Sequence, residues 1–125
     1  EKMAKMPIVR YLDKTEATSC PYGTTERVVT GGEGGVANVH VITVTKGGEH
    51  YHRDYDEVYF VLDGEGVITL DGEEHELRYG AVVVVPSGVV HSLEATGGQP
   101  LRFVIFGHPG MSVSDDRFVP RPARK

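Results

Sequence analysis

The sequence predicts an all-β fold, a single sheet system that closes into a barrel or folds double as a jelly roll. Three observations carry that expectation. From Arg27 onward, short β-branched and aromatic runs alternate with Gly, Asp and Pro at spacings typical of sandwiches and barrels. Asp71-Gly72 separates two strand-like runs, and Gly accepts the positive φ that a tight hairpin turn needs. No segment sustains a helical period over three turns. Closure matters because about eight short strands in one small domain would otherwise leave edges open to pairing with other chains.

The elements follow in order. Residues 1–24 are expected to form an N-terminal arm, with one short strand near 8–11. The barrel is expected over 25–108. It starts with "RVVT", passes the glycine-rich "GGEGG", and continues with the long run "VANVHVITVT" and a turn at "KGGE". The runs "EVYFVLDG", "GVITLDG", "EHELRYG", "AVVVVP", "VHSLEA" and "PLRFVIFG" complete it. Asp63-Gly64 marks a second turn. Residues 109–125 are expected to be a C-terminal tail with several bases.

Length and composition narrow the function. A chain of 125 residues makes one domain with enough core to need no staples. Its 18 acids against 13 bases leave a net charge of −5, which argues against a nucleic-acid partner. One cysteine, Cys20, cannot form an internal disulfide and fits a reducing compartment. No apolar run reaches the length of a membrane span or a signal peptide. The expectation is a cytoplasmic protein without a membrane partner. "GGEGGVAN" lacks the Lys-Ser/Thr ending of a phosphate loop.

The chemistry concentrates in "GEHYHRDYDEVYFVLDGEG", residues 48–66. His50 and His52 are two apart, so on a strand they share a face. Glu57 opens the next run, where its carboxylate is expected to return towards the same imidazoles. His91 follows a Pro-x-Gly turn and belongs to a neighbouring strand. Three neutral imidazoles and a carboxylate suit a divalent first-row metal, with positions left for water or substrate. The commoner fate of a single strand histidine is the surface or the core, so the case rests on the four residues together.

This combination resembles the cupin family. The first cupin motif, G-x5-H-x-H-x3,4-E-x6-G, is matched by His50, His52, Glu57 and Gly64. The second, G-x5-P-x-G-x2-H-x3-N, is matched by Gly80, Pro86, Gly88 and His91. Val44 stands where the first motif has its leading glycine, and Ala95 where the second has its closing asparagine; neither position is a metal ligand. The resemblance implies a small double-stranded β-helix, or jelly roll, that holds a metal through His50, His52, Glu57 and His91. It also implies a homodimer. Family members use Fe, Mn, Zn, Ni, Co or Cu, and the donor set alone does not choose among them.

Tyr59, two residues beyond Glu57, shares its face and is the candidate catalytic residue, its hydroxyl expected to bond substrate or metal-bound water. The alternative is a packed aromatic. Val58, Phe60 and Leu62 should face the other way, towards a sheet or dimer interface, and Tyr51 should point away from the metal. Arg102 is expected in a surface pair rather than in the cavity. Arg27 and Arg53 are further candidates at the barrel mouth. His40 is expected as a satisfied core histidine, His75 as solvated, and His108 as a turn residue. Two functions fit. One is a metal-dependent enzyme acting on a small organic acid or sugar-like molecule, of dioxygenase, isomerase or decarboxylase type. The other is a non-catalytic module that binds a small ligand or a metal.

Overall fold

The computed structural model describes residues 7–20, 23–110 and 117–118. Among these residues, eleven strands lie in two sheets. They are β1 (Ala17–Cys20), β2 (Gly23–Val29), β3 (Asn38–Val44), β4 (Lys46–His52), β5 (Asp56–Asp63), β6 (Gly66–Leu70), β7 (Glu73–Leu77), β8 (Val82–Val85), β9 (His91–Ala95), β10 (Leu101–His108) and β11 (Arg117–Phe118). One sheet runs β1-β2-β3-β10-β5-β8 and the other β11-β4-β9-β6-β7. Every pairing is antiparallel. This is the expected jelly roll. Two single-turn 3-10 helices, Leu12–Lys14 and Gly31–Glu33, are the only helical pieces among the described residues.

Period-2 patterning sets which side chains enter the barrel. In β5, Glu57, Tyr59 and Val61 are buried while Val58, Phe60 and Leu62 are half-buried on the opposite face. Leu101 and Phe103 of β10 face inward in the same way, next to Val44, Ile68, Leu77 and Val85. Each such fully buried aliphatic contributes about 1.5–3 kcal/mol. "AVVVVP" is less buried than its composition suggests. It forms the edge strand β8, which exposes Val82 and Val84.

Turn chemistry appears where anticipated. Asp71 and Gly72 both adopt positive φ, 47° and 88°, and close the β6–β7 hairpin. Gly64 has φ 87°, and a Cβ there would run into the Pro100 carbonyl, so both backbone and space demand glycine.

Three expectations need correction. Residues 8–11 form no strand; the strand before the barrel is β1, further along, which extends the sheet beside β2. "KGGE" is not a turn but the start of β4. The chain passes from one sheet to the other at Thr45, with no loop between β3 and β4. His108 ends β10 rather than sitting in a turn. Of the C-terminal tail, Arg117–Phe118 pairs with β4, and its other residues from 111 onward lie outside the described residues. Among the described residues no helix is long and apolar enough to cross a membrane.

Candidate metal centre

β4 and β9 are paired with Gly47 opposite Leu93 and His50 opposite His91. Three residues on β4 therefore span two on β9, which is a β-bulge. Leu93 packs on the core, so Gly47 faces the interior. Strict alternation from there would turn His50 outward. The extra residue restores the inward face for His50 and, two further on, for His52.

The second arm of the site comes from β5, and the connections are pinned. Gly88 N–H donates to the His52 carbonyl at 2.6 Å. Ser87 N–H donates to Asp56 Oδ1 at 2.9 Å, tying the Pro-x-Gly turn to the start of β5. Asp71 exchanges two bonds with Val90: its N–H donates to the Val90 carbonyl at 2.8 Å, and its Oδ1 accepts from the Val90 N–H at 2.9 Å. That clamp holds the residue just before His91.

His50, His52 and His91 each bring a ring nitrogen to within 4.8 Å of the other two. Glu57 Oε1 lies 3.5 Å from His52 Nε2 and 3.6 Å from His91 Nε2. His52, Glu57 and His91 are buried, and His50 is half-buried. The four sequence-predicted ligands are thus brought together at one end of the barrel interior.

Hydrogen bonds fix the tautomers. His50 Nδ1 meets the Gly48 carbonyl at 2.9 Å and His91 Nδ1 the Val89 carbonyl at 3.0 Å. A carbonyl only accepts, so in each neutral ring Nδ1 carries the proton and Nε2 offers a lone pair. His52 differs. Its Nδ1 pairs at 3.0 Å with the Tyr55 hydroxyl, which can donate or accept, and the two rings stack at 4.6 Å.

Electrostatics favour a ligand-ready state. Burial lowers the His50 pKa to about 4 and outweighs the bond to Gly48; the neighbouring imidazoles push the same way. Burial also lowers that of His91. For Glu57, burial opposes ionisation, yet the His52 and His91 imidazoles and the Tyr59 hydroxyl outweigh it and hold the carboxyl below its ordinary range. The result is neutral His50 and His91 imidazoles beside an ionised carboxylate. His91 Nε2 is buried with no hydrogen-bond partner, the mark of a lone pair suited to a cation. The donor set fits a divalent transition metal.

Tyr59 faces inward, 3% exposed, and stacks on Phe103 at 5.0 Å. Its hydroxyl donates to Glu57 Oε1 at 3.0 Å. Burial, reinforced by the Glu57 charge, raises its pKa well above 10, so the phenol keeps its proton.

The family model for the cupin domain matches residues 38–107. The chain belongs to the cupin family. This cupin is 33% identical over 70 residues to an uncharacterized protein of Methanocaldococcus jannaschii, and the match covers 56% of each chain. It is 39% identical over 57 residues to the oxalate-binding protein of Thermotoga maritima, covering 46% of this chain and 47% of that one. The chain spans about half the length of the curated relatives it matches. A solved structure of a protein from Planctomyces limnophilus superposes with TM-score 0.76 at 29% identity, covering 90% of the cupin and 96% of that chain.

Other candidates sort by face. Arg102 lies on the outer face, where it donates to Thr43 Oγ1 at 3.0 Å and pairs with Glu26 at 3.2 Å, as expected. His75 is exposed beside Glu73. Arg53 is exposed as well. His40 departs from expectation: its Nε2 is buried with no hydrogen-bond partner, so it is not a satisfied core histidine. Sequence reasoning missed Tyr55, Asp56 and Asp71 as supports. The spacing of Tyr55, three past His52 in a turn, was the one local signal available.

Proposed function

We propose that this cupin is a metal-dependent protein for a small polar organic acid or sugar-like ligand, its ion held by His50, His52, Glu57 and His91. The observation that carries the reading is the convergence of three imidazole nitrogens within 4.8 Å, beside the buried Glu57 carboxylate. Any of Fe, Mn, Zn, Ni, Co or Cu suits the donor set. When bound, a divalent ion would supply Lewis acidity towards ligand oxygens, or redox chemistry if it is iron, manganese or copper. The protein's own part is to keep Nε2 of His50 and His91 unprotonated, hold Glu57 ionised, and keep the Tyr59 hydroxyl donating to Glu57.

In this reading Tyr59 acts through Glu57 rather than as a base, because its proton is held and its hydroxyl already engaged. An enzyme of dioxygenase, isomerase or decarboxylase type would then draw its chemistry from the ion and the ligand. The protonated Tyr59 equally supports the second reading, a non-catalytic small-ligand module, and the oxalate-binding relative names one such ligand. The homodimer and the cytoplasmic location stay proposals. Outward-facing Val82, Val84 and Phe106 support the first, and a lone cysteine the second.

Elemental analysis of protein purified without added metal, beside the His91→Ala variant, tests the centre. About one transition-metal ion per wild-type chain, lost in the variant, supports it. Equal metal content in both sinks it. Turnover of organic acids and sugars by the loaded protein under air then separates enzyme from binding module.

A further inference from the structure

The inner wall carries a second cluster of polar groups, away from the histidines. β2 and β3 set Arg27 opposite His40 and Thr25 opposite Ile42. β10 sets Ile105 opposite both His40 and Tyr59. Ile42 and Ile105 pack on the core, so Thr25, Arg27 and His40 share the interior face. His40 stands two strands from Tyr59, and through it from Glu57, across one continuous wall.

Two atoms in this cluster lack a protein partner. Thr25 Oγ1 and His40 Nε2 are buried without a hydrogen bond, and the one other such side-chain atom among the described residues is His91 Nε2. Thr25 is 3% exposed. Buried polar atoms are almost always paired, because leaving them unpaired sacrifices their hydration for nothing. Arg27, half-buried on the same face opposite His40, adds a cation at its rim. It spends one N–H on Thr18 Oγ1 at 2.9 Å, and a guanidinium has five to give. Its charge, after burial, helps keep His40 neutral, while Glu57 acts in the opposite sense.

One ligand chemistry satisfies all three residues. An oxyanion compensates the guanidinium charge and accepts from the Thr25 hydroxyl and from a His40 Nε2–H. We propose that Thr25, Arg27 and His40 form a recognition subsite for the second oxyanion of a bifunctional ligand, the simplest being a small dicarboxylate whose first carboxylate sits at the histidine–glutamate centre. The placement of that first carboxylate rests on the metal-centre reading; the subsite itself does not. A ligand anchored at both ends is held in one orientation, and acids with a single carboxylate are discriminated against.

The test is calorimetry on the metal-loaded protein with acetate, oxalate, malonate, succinate and glutarate. One dicarboxylate should bind at least tenfold more tightly than acetate. Thr25→Val, which removes only the hydroxyl, and His40→Ala should each erase most of that preference with metal content and melting temperature kept. A wild type without the preference, or both variants keeping it in full, overturns the proposal; buried water alone then serves these atoms. A second arm uses metal-free protein. Imidazole NMR of His40 should shift on titration with succinate in the wild type and not in Arg27→Gln, and an unmoved His40 signal overturns the subsite. Failure to take up any metal would defeat the metal centre alone, because this arm needs none.

Discussion

His50 stands directly opposite His91 across the β4–β9 ladder, their ring centroids 4.2 Å apart. That juxtaposition depends on a single extra residue between Gly47 and His50. Were the same residues paired without the bulge, the two imidazoles would lie on opposite sides of the sheet, because side chains alternate along a strand.

Deleting Gly48 should therefore keep both metal binding and the β-rich fold. The deletion removes the extra residue, so His50 falls two after Gly47 and regular alternation keeps His50 and His52 inward. Far-UV circular dichroism and elemental analysis on the same sample check this. Loss of the metal with the fold kept would show that ladder register alone does not position the imidazoles.

Tyr59→Phe removes the hydroxyl that donates to Glu57 but keeps the ring on Phe103. A hydrogen bond to a charged group is worth about 1.5–3 kcal/mol, and loss of such support to a ligand typically weakens metal affinity about 10–100-fold. Denaturant melts of the metal-free variant and competition with a chelator measure the two effects. Unchanged values for both would refute the role of the Tyr59 proton.

Tyr55→Phe makes a finer test. The stack on His52 survives, and the bond between the hydroxyl and His52 Nδ1 at 3.0 Å is lost. We expect metal affinity to fall by about tenfold, at the lower end of the range for such outer contacts, since the ring keeps its place by packing. A fall as large as that of His52→Ala would mean that the hydroxyl does more than orient the ring.

The metal-free protein should lose stability as pH falls from about 6.5 to about 4. His50 titrates near 4 when folded against 6.5 in the unfolded chain, and His91 is shifted in the same direction. In that window the unfolded state binds more protons, so stability rises with pH and falls with acid. The depressed Glu57 carboxyl extends the loss to lower pH. Melting temperatures from pH 7.5 to 4.5 should decline, with a shallower decline in His50→Ala. A flat profile would contradict the burial of these rings.

Much of the site was legible because its signals are local. The two-residue spacing of His50 and His52, the alternation through Glu57, Tyr59 and Val61, and the Asp71-Gly72 turn all follow from strand geometry and backbone sterics. Gly47 and Gly48 misled because glycine pairs commonly mark turns, whereas here they form a bulged strand that carries the chain from one sheet to the other. Arg27 and Arg102 look alike in sequence, yet one faces the interior and the other pairs with Glu26 outside.

By itself, then, the sequence determined the all-β class, the succession of strand runs along the chain and the shared face of His50 and His52, since each rests on periodicity or turn preference within a few residues; that Glu57 and His91 join them was implied by the resemblance to the cupin motifs. Tertiary structure alone decided that Asp71 clamps Val90, that Tyr55 and the Gly48 and Val89 carbonyls orient the imidazoles, and that Thr25 and His40 are buried unpartnered. Those relations join residues brought together by strand register, and register is set by the packing of the whole sheet.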